Sequence, residues 1–129
     1  MNTIEVGPFS IFFTNVNTEM KLPGHSHFAL VKLTYLTTGQ MGFPSFRDTH
    51  QEIHEKLREV TARPFRNSTN EDVLQKIIES LFEFKPESAK RYDTEKSGYE
   101  LISVVLQVRG VFDHIGHADS FTTYRWKQE

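Results

Sequence analysis

Apolar and polar residues follow two different periods along this chain, and the change of period marks out its elements. Residues 4–16, IEVGPFSIFFTNV, carry a strand pattern interrupted at Gly7-Pro8, since proline cannot donate to a sheet ladder. Phe12 and Phe13 are adjacent, so a strand must send them to opposite faces. In residues 27–36, HFALVKLTYL, one face collects His27, Ala29, Val31, Leu33 and Tyr35, while Lys32 and Thr34 take the other. The polar NTEMKLPG between the two stretches predicts a hairpin. A loop follows at TTGQMGFP, with Gly39, Gly42 and Pro44 as breakers.

The helical period then takes over. In residues 46–60, FRDTHQEIHEKLREV, the residues Phe46, His50, Ile53, Leu57 and Val60 form one stripe. Pro64 ends that helix, because the residue before a proline is biased away from the α region. Val73-Leu74, Ile77-Ile78 and Leu81-Phe82 recur every four residues and predict a second helix over about 69–83. The polar KPESAKRYDTEKSG, 85–98, reads as an exposed loop. Residues 99–112, YELISVVLQVRGVF, return to strand character, with Ile102, Val104, Leu106 and Val108 expected inward. DHIGHADS reads as a turn, and FTTYRW, 121–126, as the last strand. The order ββααββ predicts one α+β domain spanning 1–129, with a four-stranded antiparallel sheet and two helices on one face.

Composition narrows the function classes. The 129 residues suit one core, and 37% hydrophobic with 25% charged content is ordinary for a globular domain. The formal net charge is −2 with no basic run, so no nucleic-acid partner is expected. No apolar run approaches the roughly 18 residues a membrane helix needs. MNTIEVGPFS lacks a basic stretch followed by an apolar one, so the expectation is a cytoplasmic location. There is no cysteine, which removes disulfides, thiolate ligands and a thiol nucleophile. Eleven Phe residues exceed what one core of this size requires, and Phe9, Phe12 and Phe13 are candidates for a subunit interface.

Two constellations carry candidate chemistry. The first is NSTNEDVLQKIIESL, 67–81, where Glu71 opens the second helix. Ser68-x-x-Glu71 has capping-box spacing, in which the Glu bonds back to the cap amide. The same carboxylate suits a ligand bearing two parallel N–H groups, with Thr69 and Asn70 as polar neighbours. The second is His25-Ser26-His27, whose imidazoles share a strand face and suit zinc; as the plainer reading, they are polar residues at a strand start. His50 and His54 stand i, i+4 on the first helix, either as ligands or as partly buried packing residues. His114 and His117 flank Gly116 in a turn.

Several of these stretches resemble the tunnelling-fold (T-fold) superfamily. NSTNEDVLQKII resembles the N-P-T-A-E-N opening of the second helix in its pyruvoyl- and carboxy-tetrahydropterin synthase branch. PSFRDTHQEIHEKL resembles the N-Y-R opening of the first helix in the dihydroneopterin aldolase and epimerase branch, and HADSFTTYRW resembles that branch's A-D-S final strand. The resemblance implies a homo-oligomer whose sheets join into a barrel. It further implies pterin- or purine-like ligands at subunit interfaces, anchored by Glu71, in folate or pterin metabolism.

Catalytic residues carry over less completely. The synthase branch needs a zinc held by three histidines, two as H-x-H. His25 and His27 match that pair, but SIFFTNV supplies no first-strand His, and a second alignment of LPGH puts Pro23 at a ligand position. Zinc is therefore possible, but the family site is incomplete. The branch's Cys is missing as well. The aldolase branch uses no metal and relies on a Lys, a Tyr and a Glu. Here Arg109 stands at or near the Lys position, Phe46 at the Tyr position, and Glu19 aligns with the Glu. Arginine stays protonated and cannot serve as a lysine-like general base. Lyase or isomerase chemistry of that type is one expectation, and a catalytically silent binding or assembly protein is the other.

Overall fold

A computed structural model describes residues 2–16, 18, 25–38, 47–92, 98–109 and 121–129, except for the side chains of His25, Arg91 and Tyr92. Glu19, Pro23, Gly39, Gly42, Pro44, Phe46, His114 and His117 lie outside the described residues, as does the A-D-S segment 118–120.

Strands β1 (Asn2–Val16) and β2 (His25–Thr38) form the first antiparallel pair, and β4 (Gly98–Arg109) and β5 (Phe121–Lys127) the second. Antiparallel pairing of β2 with β4 joins them. Helices α1 (Arg47–Thr61) and α2 (Asn70–Phe82) stand between the pairs in sequence. The expected four-stranded antiparallel sheet is corrected to a five-stranded mixed one, in the order β3-β1-β2-β4-β5. The addition is β3, the two residues Phe65–Arg66, which run parallel to Asn15 and Val16. Two residues are too few for a strand period to register in sequence.

The pleat decides which residues are buried. Ala29, Val31 and Leu33 on β2 are 0% exposed, and Tyr35 and Thr37 continue the same face. Phe13 is 1% exposed and Phe12 65%, as opposite faces require. In β1 the register slips, because three steps from Val6 to Phe9 match two from Leu33 to Val31. This is a bulge, and Gly7 makes it possible. Its φ of +113° is poorly suited to an L side chain, and a Cβ there would stand 2.9 Å from the Val31 carbonyl oxygen.

A second slip, between Thr34 and Tyr35, corrects the expected inward face of β4. One step on β2 matches two on β4, so Ile102 is the extra residue and is only partly buried. Tyr99 and Leu101 take the core side instead, beside Val104, Leu106 and Val108. Burial, with Tyr99 beside it, holds the Tyr35 hydroxyl above the ordinary tyrosine range.

Both helices pack on this covered face, α1 chiefly over β1 and α2 over β4 and β5. α2 buries Val73, Leu74, Ile77, Ile78 and Leu81, the expected stripe. α1 departs from its expected stripe. Its buried residues are Thr49, Ile53, Leu57 and Thr61, a strict four-residue spacing, while His50 and Val60 are only partly buried. The expected loop after α2 contains a 3₁₀ turn, Glu87–Tyr92, whose Ala89 is fully buried. No helix among the described residues is long and apolar enough to cross a membrane.

Candidate functional site

The chain reaches α2 through a short, heavily hydrogen-bonded segment. Asn67 adopts φ 50°, a left-handed conformation that asparagine tolerates better than most residues. Its N–H donates to the Val16 carbonyl at 2.8 Å. Its side chain accepts from the Thr18 N–H at 3.0 Å and donates to the Thr18 hydroxyl at 2.8 Å. Asn15 grips the next residue, donating to the Ser68 carbonyl and accepting from the Ser68 N–H at 3.4 Å. The Ser68 hydroxyl donates to the Arg66 carbonyl at 3.1 Å. Ser68 is thus occupied before the helix begins.

This occupation shifts the cap by one residue. Thr69, with φ −91° and ψ 171°, is the N-cap. Its hydroxyl accepts from the Asp72 N–H at 3.1 Å, and the Asp72 carboxylate accepts from the Thr69 N–H at 2.8 Å. The expected box of Ser68 with Glu71 is therefore corrected to Thr69 with Asp72. The signal was present, since S-T-N-E-D contains two overlapping box spacings and only tertiary contacts choose between them.

Glu71 is left exposed in the first helical turn. Its carboxylate makes no hydrogen bond or ion pair among the described residues, and it sits where the helix's positive end favours an anion. Thr69 and Asn70 are more committed than expected. Thr69 caps the helix, and the Asn70 amide donates to the Tyr124 hydroxyl at 3.0 Å, fastening α2 to β5. Each retains one hydrogen-bonding group: the Thr69 hydroxyl can still donate and the Asn70 carbonyl can still accept.

Sheet register gathers other candidates at the same end. Asn15 stands opposite His25 and Phe13 opposite His27, while Arg109 ends β4 opposite Phe121. His27 is partly buried and stacks on Phe13 at 5.1 Å, with planes 25° apart. Arg109, however, is exposed on the open face of the sheet, whereas α2 lies on the covered face. Within one copy, Arg109 and Glu71 do not share a pocket.

The donor set does not fit a zinc held by three histidines. Across β1 from the H-x-H pair stand Phe13, which carries no ligand atom, and Asn15, whose amide is already bonded to Ser68. Among the described residues no three His, Asp or Glu side chains gather closely enough for a metal. His50 and His54 lie elsewhere, packed around Phe9 at ring separations of 6.0 and 5.7 Å. His54 Nε2 is 2.8 Å from the Ser10 carbonyl oxygen, five residues and so roughly 17 Å back along β1 from Asn15. A surface hollow of about 330 Å³, lined by Glu52, Glu55, Glu59, Phe84 and their neighbours, contains none of the expected site residues.

The fold and site thus define an α+β chain with two helices over one face of a five-stranded sheet, and a carboxylate at the start of the second helix that no other described residue engages. Comparison with protein-family models, with curated proteins and with solved structures returns no match.

Proposed function

We propose that this chain binds a pterin- or purine-like heterocycle, with Glu71 as the anchor, within a T-fold homo-oligomer. The observation that carries the reading is the division of labour at α2. Asp72 completes the cap, so the Glu71 carboxylate is left for two parallel N–H donors of an aminopyrimidinone edge. Two further features support it. Paired strands flank two helices in the T-fold sequence order, and among the described residues no strand pairs with the outer edge of β5, or with that of β1 before Asn15.

The catalytic form of this reading is aldolase- or epimerase-type chemistry on a dihydropterin. Arg109 in place of a basic lysine, with Phe13 and Asn15 opposite the H-x-H pair, favours the second form: a binding or assembly protein that performs no reaction. Calorimetric titration with neopterin and guanine derivatives tests the site. Glu71→Gln replaces an acceptor oxygen by a donor amide, so affinity should fall by about 2–4 kcal/mol. Equal affinity in both proteins, or none in either, removes Glu71 from any ligand site. Turnover of dihydroneopterin separates the catalytic form from the silent one.

A further inference from the structure

The face of the sheet turned away from the helices has an unusual composition. At one end, a single cross-strand row carries three phenylalanines. Phe12 pairs with Phe28, and Phe121 pairs with Arg109 on the far side of the row. The rings of Phe12 and Phe28 are 5.4 Å apart and those of Phe28 and Phe121 6.5 Å, so they form one continuous aromatic strip. Phe12 is 65% exposed, and among the described residues no element packs over it.

Beyond an uncharged row of Ser10, Leu30, Gln107 and Thr123, cations occupy the second and third rows. Lys32 and Arg125 flank Val105 in one row, and Lys127 stands in the next, opposite Ser103. All three are exposed, as is Arg109. Rows on one face repeat every two residues, or about 6.6–6.8 Å, so the charges lie within three rows of the aromatic strip. Among the described strand residues the acids of this face are Glu5, which shares the row of Lys127 through Thr34 and Ser103, and Glu100, one row beyond it opposite Leu36. Many of the remaining acids, including Glu55, Glu59, Glu79 and Glu83, belong to the helical layer. Four cations against two acids among the described strand residues leave this face net positive in a chain of net charge −2. Sequence reading misses it because the cations are distributed over three strands and only their pairing brings them together.

We propose that this face binds single-stranded nucleic acid. The exposed Phe12 ring, with the half-buried Phe28 and Phe121 beside it, offers a surface on which unpaired bases stack, and the neighbouring cations meet the phosphates. Duplex bases are already stacked on one another and cannot reach the rings. A second copy placed face to face about an axis along the strands would set lysine and arginine against their own counterparts, which disfavours that arrangement. The proposal is independent of the heterocycle site, because Glu71 lies in the helical layer.

The experiment is fluorescence anisotropy of labelled twelve-residue oligouridine, oligodeoxythymidine and a matched duplex, titrated with the whole chain at low salt. Binding of either single strand, with the duplex weaker, is expected. Phe12→Ala, at a largely exposed position, should weaken binding about 5- to 150-fold, the range for one stacked base. Lys32→Glu with Arg125→Glu should weaken it further and flatten the dependence on salt. The idea is overturned if no single strand binds, if the duplex binds equally well, or if the Phe12 and Lys32/Arg125 variants bind like the parent. Sedimentation adds the remaining outcome: loss of an oligomer in Phe12→Ala, with no oligonucleotide bound by the parent, assigns the face to a second copy instead.

Discussion

The two helices rest on the same face of the same sheet, yet they are held there by different means. α2 presents five aliphatic side chains to the core: Val73, Leu74, Ile77, Ile78 and Leu81. α1 presents two aliphatics and two threonines, Ile53 and Leu57 between Thr49 and Thr61. A buried hydroxyl is costly unless it is bonded, and both threonines are. Ser88 donates to Glu52 at 3.0 Å, so its oxygen accepts from Thr49, 2.6 Å away. Thr61 donates back to the Leu57 carbonyl at 2.9 Å. Thus α2 docks by apolar burial, whereas α1 also depends on a hydroxyl chain that ties it to the 3₁₀ turn Glu87–Tyr92. The contrast explains why that polar turn is ordered against the helix: it completes the bonds of a residue that is 0% exposed.

The largest effect expected from this contrast lies on α2. Ile77 is fully buried, and Ile77→Ala should cost about 2–5 kcal/mol in urea unfolding. A loss below about 0.5 kcal/mol, as at ordinary surface positions, would mean that α2 turns another face to the sheet. The corresponding test on α1 is polar. Thr49→Val keeps the shape and removes the hydroxyl, leaving Ser88 still bonded to Glu52. A cost of about 1–1.5 kcal/mol is expected from the lost bond. Stabilisation by Thr49→Val would show that α1, too, is held by burial alone, and the distinction between the helices would disappear.

The same contrast marks what could be read in advance. A stripe of aliphatics at helical spacing is self-evident in sequence, and the expected bounds of α2 lie within a residue or two of the observed ones. The bounds of α1 were equally legible, but its buried stripe was not, because Thr49 and Thr61 look like surface residues until Ser88 and the Leu57 carbonyl are brought to them. The strands show the same division. β2 alternates without interruption, so its inward face could be read directly. In β4 the bulge at Ile102 reverses the alternation, and a bulge is fixed by cross-strand pairing rather than by local preference. At the site, the position of Glu71 at the helix start was legible, but its freedom from capping was not. That depends on Asn15, distant in sequence, holding Ser68 outside the helix.

A smaller effect concerns how α2 begins. Asp72→Ala removes one half of the reciprocal cap and a negative charge from the helix's positive end. The expected cost is about 0.5–1 kcal/mol, at the lower end for a capping group. It should be read at low ionic strength, because screening shrinks the charge contribution.

Smallest of all should be the stability effect of Glu71→Ala, and its smallness is informative. If Glu71 were the capping partner of Ser68, this substitution would leave the cap amide unpaired and cost about 1 kcal/mol, as loss of a cap does. In the observed arrangement that amide belongs to Asp72. What Glu71 contributes is the interaction of an exposed carboxylate with the helix dipole, about 0.3–1 kcal/mol at low salt. Alanine recovers part of this through its better helix propensity. The net change should be a few tenths of a kcal/mol and should vanish in high salt. Thermal unfolding of Glu71→Ala and Asp72→Ala side by side, at low and high salt, therefore assigns the cap. Equal losses that persist in high salt would return Glu71 to a structural role. A loss confined to Asp72→Ala leaves a carboxylate at the helix start with no part in holding the fold, as a ligand anchor requires.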